Sequence, residues 1–89
     1  MDNTTAMLEE LRVSSNKVAG RNNVLKALKN GSAKRVYLAK DIDNFLSQTI
    51  VNNAQENNVP IVFVETRNEL AKLCNISVKT ATAAILKQI

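Results

Sequence analysis

Two short, unbroken apolar runs, Val36-Tyr37-Leu38-Ala39 and Ile61-Val62-Phe63-Val64, constrain the fold more than any other feature. A strand that is apolar at every position has both faces covered, so each run belongs in a middle layer. The segments around them have helical periodicity instead. Met7, Leu8 and Leu11 mark a short helix over residues 4–12, with Thr4 or Thr5 as its cap. Val24, Ala27 and Leu28 give an inner face to the helix after Gly20, and Asn30-Gly31 ends it by left-handed capping. Leu46, Ile50 and Ala54 do the same for a helix from Phe45 to about Glu56, capped by Asp43 or Asn44 and stopped by Asn57-Asn58. Thr66-Arg67-Asn68-Glu69 has capping-box spacing and opens a helix through Leu70, Leu73 and Cys74, with Asn75 as its terminator.

Two segments are less determined. Residues 13–19 predict a short strand or extended stretch ending in Val18-Ala19. Between Thr80 and Leu86 the alanines suit helix while the threonines and isoleucine suit strand; a strand completes the sheet. Alternation of helix and strand with short connections predicts an α/β fold, a three-layer α/β/α sandwich around a small four-stranded mixed sheet. Eighty-nine residues, with no linker or repeat, predict one domain over residues 1–89.

Composition removes several chemistries. The chain has no histidine and a single cysteine, Cys74, so the usual Cys/His zinc site and the Ser-His-Asp and Cys-His nucleophiles are excluded. Cys74 follows Leu70 and Leu73 at helical spacing and reads as a small buried apolar residue. Asp41 and Asp43 read as turn and cap residues rather than catalytic acids. With two glycines, neither a P-loop nor a dinucleotide fingerprint is present. The expectation is a non-enzyme without cofactor or metal. Nothing resembles a signal peptide or membrane span, which predicts a soluble cytosolic protein with no membrane partner. Aromatics are scarce, Tyr37, Phe45 and Phe63 alone, which weakens any base-stacking platform; Phe45 and Phe63 read first as core.

Charge is concentrated. Lys17, Arg21, Lys26, Lys29, Lys34, Arg35 and Lys40 fall in one stretch without a single acid. Residues 1–16 carry a net −2 and residues 41–89 a net −1, so this quarter of the chain holds all the excess of a +4 protein. Such a field attracts polyanions, nucleic acid foremost; the plainer alternative is a solvated lysine-rich surface. Within the block, Gly20-Arg21-Asn22-Asn23-Val24-Leu25-Lys26 is the sharpest motif. Glycine at a strand-to-helix turn allows close backbone approach, the helix start offers free amides to phosphate, and asparagine amides both donate and accept at base edges. Lys26 lies one turn on from Asn22, on the same exposed face. An ordinary Asn cap beside a solvated lysine is the structural alternative.

The run from Gly20 to Asp41 resembles the kink-turn RNA-binding ribosomal-protein family, which includes the archaeal L-seven-Ae and eukaryotic L-thirty-e proteins and small bacterial homologues. Asn58-Val59-Pro60 and the apolar run after it resemble the family's third strand and its approach; Glu69 to Ile76 resembles its Leu-Gly-x-Ala-Cys-Gly-Ile stretch, and Thr80 to Ile85 its last strand. The resemblance covers about Lys17 to Leu86. It implies an α/β/α sandwich docking on a kink-turn, a bent RNA helix built on tandem sheared G·A pairs, in ribosomal or riboswitch-like RNA. It also implies association with the ribosome, and we expect a monomer. By resemblance, Gly20 shapes the turn, Asn22, Asn23 and Lys26 read the pairs, and Arg21 and Lys29 reach phosphates. Ile76, Ser77, Val78 and Lys79 form the loop against flipped-out nucleotides, and Arg67 contacts phosphate from the same side.

The chain departs from the family pattern at three places. Relatives often carry Asn-Glu or Lys-Gln at Asn22-Asn23, a small residue at Arg21, and glycine at Asn75, where asparagine is expected to keep the left-handed turn. The first two departures motivate an alternative function, a protein-interaction module that keeps the fold without kink-turn recognition.

Overall fold

The computed structural model describes residues 3–77 and 79–87, with side chains from residue 6 onward. In chain order the elements are α1 (Asn3–Val13), β1 (Lys17–Ala19), α2 (Arg21–Lys29), β2 (Ala33–Ala39), α3 (Asn44–Glu56), β3 (Ile61–Val64), α4 (Arg67–Leu73) and β4 (Thr82–Leu86). Thr4 and Thr5, expected as caps, lie inside the first turn of α1, and their side chains are outside the described residues. The predicted alternation is therefore present throughout, including the ambiguous last segment, which is a strand.

The sheet order is β1-β4-β2-β3, with β4 antiparallel to both neighbours and β2 parallel to β3. The last segment thus occupies an inner position. Its small side chains suit that place: Ala83 faces one core and Ala84 the other, leaving room for helices on both sides. The polar member is satisfied, since the buried Thr82 hydroxyl donates to the Tyr37 carbonyl at 2.8 Å.

Each face of the sheet has its own apolar cluster. Leu11 of α1, Leu70 of α4 and Cys74 just past its end pack on Tyr37, Val62, Val64 and Ile85. On the other face Val24, Ala27 and Leu28 of α2 and Ile50 and Ala54 of α3 pack on Val36 and Leu38. Both inner faces read from helical spacing are the ones buried. The Tyr37 hydroxyl, inside the first cluster, donates to the Met7 carbonyl at 2.5 Å. Burial pushes the Cys74 thiol above its ordinary value, in keeping with its place in the core.

The two phenylalanines overturn their expectation. Phe45 is 75% exposed and Phe63 48% exposed. Phe45 sits one position before Leu46, so the rotation that points Leu46 and Ile50 inward leaves it outside. Phe63 alternates with the inward Val62 and Val64 on edge strand β3, on the sheet face shared by Ile61 and α3.

Helix ends follow a common chemistry. After α2, α3 and α4 the residues Gly31, Asn58 and Asn75 take φ of 71°, 56° and 60°. In each case the next amide reaches back to an alanine carbonyl: Ser32 to Ala27, Val59 to Ala54, Ile76 to Ala71. These are Schellman closures, and Asn75 does keep the left-handed turn. At the starts, Asp43 accepts from the Phe45 amide and Thr66 from the Glu69 amide. No helix among the described residues is long and apolar enough to cross a membrane.

Candidate nucleic-acid interface

Because β1, β2 and β3 run in the same direction, their C-terminal ends share one edge of the sheet. Crevices at that edge are the usual ligand sites of open α/β sheets. Gly20 leaves β1 there. Its φ of 97° and ψ of 149° lie where residues with a Cβ are strained, although nothing within 4 Å would meet an added methyl. Its amide donates to the Thr82 carbonyl at 2.9 Å, tying the turn to the start of β4. From this anchor α2 projects Arg21, Asn22, Asn23, Lys26 and Lys29, all exposed, while Val24, Ala27 and Leu28 hold it to the sheet.

The two asparagines are not equivalent. The Asn23 side-chain amide donates to the Ala19 carbonyl at 3.0 Å, bridging the turn around Gly20. Asn22 makes no side-chain hydrogen bond among the described residues and keeps its full donor and acceptor set for a ligand. The sequence assigned both residues the same role; the fold brings one of them into its own scaffold.

The basic block divides as well. The Lys17 ammonium donates to the carbonyls of Leu11, Arg12 and Leu73, at 3.0, 3.2 and 3.5 Å. Lys34 and Arg35 both pair with Glu10, at 3.0 and 2.5 Å, and Lys40 pairs with Glu65 at 2.9 Å. Two consecutive residues reach one carboxylate because the β2–β4 register shifts between Ala33 and Arg35. The Arg35 hydrogen bond first, then that of Lys34, holds the Glu10 carboxyl below its ordinary value. Arg21, Lys26 and Lys29 have no carboxylate partner among the described residues, so the field is strongest along α2.

The 76–79 loop meets this region at one end. Ile76 and Ala19 line a common cleft of about 460 Å³ together with Val18 and Cys74. Ile76, Ser77 and Lys79 are exposed; Val78 lies outside the described residues. Arg67 stands apart. It follows β3, at the far side of the sheet from β1, across three strand spacings or roughly 14 Å. Its amide and guanidinium are held by Asp41, at 2.8 and 3.7 Å, so Asp41 is an added cap for α4.

Asn30 and Ser32 were not among the sequence-chosen site residues, yet they join Asn23 and Lys26 around a groove of about 250 Å³ on the β1 side of α2. The available signal was the four-residue spacing of Asn30 from Lys26; it was outweighed by the role of Asn30-Gly31 in ending the helix.

Comparison with known proteins agrees with this architecture. The RNA-binding protein YbxF of Geobacillus stearothermophilus is 37% identical over 70 residues, which cover 79% of this chain and 85% of that one. An RNA-binding protein of Caldanaerobacter subterraneus is 37% identical over 68 residues, 76% of this chain and 83% of the other. Among solved structures, a Giardia lamblia 15.5 kD RNA binding protein superimposes with a TM-score of 0.82 at 26% identity, covering 99% of this chain and 78% of that one. Residues 2–88 match the model of the ribosomal protein L7Ae/L30e/S12e/Gadd45 family, and the chain belongs to that family.

Proposed function

We propose that this chain is a non-catalytic RNA-binding protein that recognises kink-turns in structured RNA, acting in the cytoplasm as a monomeric, single-domain component associated with ribosomal or riboswitch-like RNA. The observation that carries the reading is the start of α2. Arg21, Lys26 and Lys29 stand there without carboxylate partners beside the unengaged amide of Asn22, while the other cations of the block are held within the protein. The relatives described above, both RNA-binding proteins, support the same class. Arg21 and Lys29 contact phosphates, Asn22 and Lys26 face the sheared pairs, and Ile76, Ser77 and Lys79 flank them across the Ala19 cleft. Binding selects the bent RNA from its ensemble, so discrimination comes from shape and from Asn22.

The test is a titration against a kink-turn RNA beside the same RNA with its G·A pairs replaced by Watson–Crick pairs. At least a tenfold preference, about 1.4 kcal/mol, is expected. Equal affinity for both defeats the reading. It would favour the protein-interaction alternative, for which the inward hydrogen bond of Asn23 is the one specific observation.

A further inference from the structure

The basic stretch from Lys17 to Lys40 is followed at once by its opposite. Residues 41–66 contain Asp41, Asp43, Glu56 and Glu65 and no lysine or arginine. This stretch forms α3 and β3. It also carries the two exposed phenylalanines, Phe63 on the β3 face shared with Ile61 and Phe45 in the first turn of α3, the helix that packs on that face. β3 closes the sheet at the edge far from β1 and is hydrogen-bonded on one side only. Lys40 and Arg67, the two cations nearby, are already paired with Glu65 and Asp41. Charge is therefore segregated, with the block's unpaired cations along α2 and a net-acidic, aromatic margin at the β3 edge.

We infer that the margin formed by β3 and the start of α3 is a docking site for an extended, basic segment of a second protein. That segment adds a strand beside Ile61–Val64 and places apolar side chains against Phe63 and Phe45, while its lysines or arginines face Asp43 and Glu56, the two acids of the stretch without a cation partner among the described residues. Strand addition uses main-chain pairing for affinity and alternate side chains for selectivity. Aromatic side chains exposed to this degree are anchors in interfaces of this kind. Nucleic acid is the wrong occupant, since its phosphates would meet the acids of this margin. A second copy is also disfavoured: pairing β3 with its own copy brings like charges together, and docking the α2 face of one copy on the margin of the next gives an open chain. The inference goes beyond RNA binding and does not depend on it, because β3 and the start of α3 share no residue with the α2 surface.

The probe is a synthetic peptide of alternating lysine and leucine, about eight residues long and so able to span the strand. Backbone-amide NMR of the whole chain maps its site. Shifts concentrated at Ile61–Glu65 and Phe45 are expected. Phe63→Ser and Phe45→Ser should each weaken binding at least about tenfold, with helical content by circular dichroism unchanged and Lys26→Ala binding as the parent does. Four outcomes overturn the inference: shifts scattered over all acidic residues, unchanged affinity in both variants, equal binding of an acidic peptide, or loss of the peptide site through self-association in sedimentation. Shifts at this margin on adding kink-turn RNA would also overturn it, whereas absence of kink-turn binding would leave it standing.

Discussion

The Asn23 side-chain amide donates to the carbonyl oxygen of Ala19, closing the turn that presents α2. Two asparagines adjacent in sequence therefore differ: Asn23 is engaged by the fold, and Asn22 makes no side-chain hydrogen bond among the described residues. Asn23→Ala should lower stability by about 1 kcal/mol, the net value of one such hydrogen bond, read as a shift in denaturant midpoint. Asn22→Ala should leave that midpoint unchanged and reduce the preference for G·A pairs by about 1–3 kcal/mol. The reverse pattern would reassign the two roles.

The salt dependence of binding should follow the partition of the basic block. Replacing Arg21 and Lys29, the two placed on phosphates, one at a time by alanine should each reduce the slope of log K against log salt by about one unit. Lys34→Ala, which removes a side chain paired with Glu10, should leave the slope close to that of the parent. Titrations at several salt concentrations separate these outcomes.

Gly20 holds its φ of 97° with open space around it, so the cost of Gly20→Ala is backbone strain rather than collision. About 1–3 kcal/mol is expected in that Gly-only region, or roughly 4–24 °C in Tm for a chain of this size. Asn75→Gly at φ 60° should change Tm little or raise it, while Asn75→Val should lower it.

Acid should weaken the tie between α1 and β2. The Glu10 carboxyl is held below its ordinary 4.5 by Arg35 and then Lys34. A group depressed in the folded state contributes stability that is complete above the unfolded pKa and is lost as pH falls through the folded one. The parent should therefore lose more stability than Glu10→Gln between neutral pH and pH 3, as judged by urea midpoints. Identical losses would remove Glu10 from the account.

Much of this fold was legible because its signals are local. The apolar runs at Val36–Ala39 and Ile61–Val64, the Thr66 cap and the asparagine helix ends are fixed by neighbours within one turn or one strand. The geometry of the candidate segment was legible, since Arg21–Lys29 does form a helix that exposes Arg21, Lys26 and Lys29. What was hidden depends on partners distant in sequence. That Lys34 and Arg35 are occupied follows from where α1 lands and from a shifted register. The exposure of Phe63 follows from β3 being an edge, and no periodicity in four consecutive apolar residues distinguishes an edge from a centre. The hydrogen bond of Asn23 was hidden because the choice of that side chain between solvent and the Ala19 carbonyl is a rotamer, invisible to spacing.

Lys17 belongs to the basic block by sequence, but its ammonium joins the last carbonyls of α1 to that of Leu73 at the end of α4. Two helices whose C-termini would otherwise confront each other with like partial charges are thereby fastened through one amine. Acylation of that amine would thus register as a loosening of the α1–α4 layer, while the same chemistry on Lys26 or Lys29 would silence the α2 face and leave the layer intact. Amine-specific footprinting can then distinguish damage to the scaffold from occupancy of the interface in one experiment.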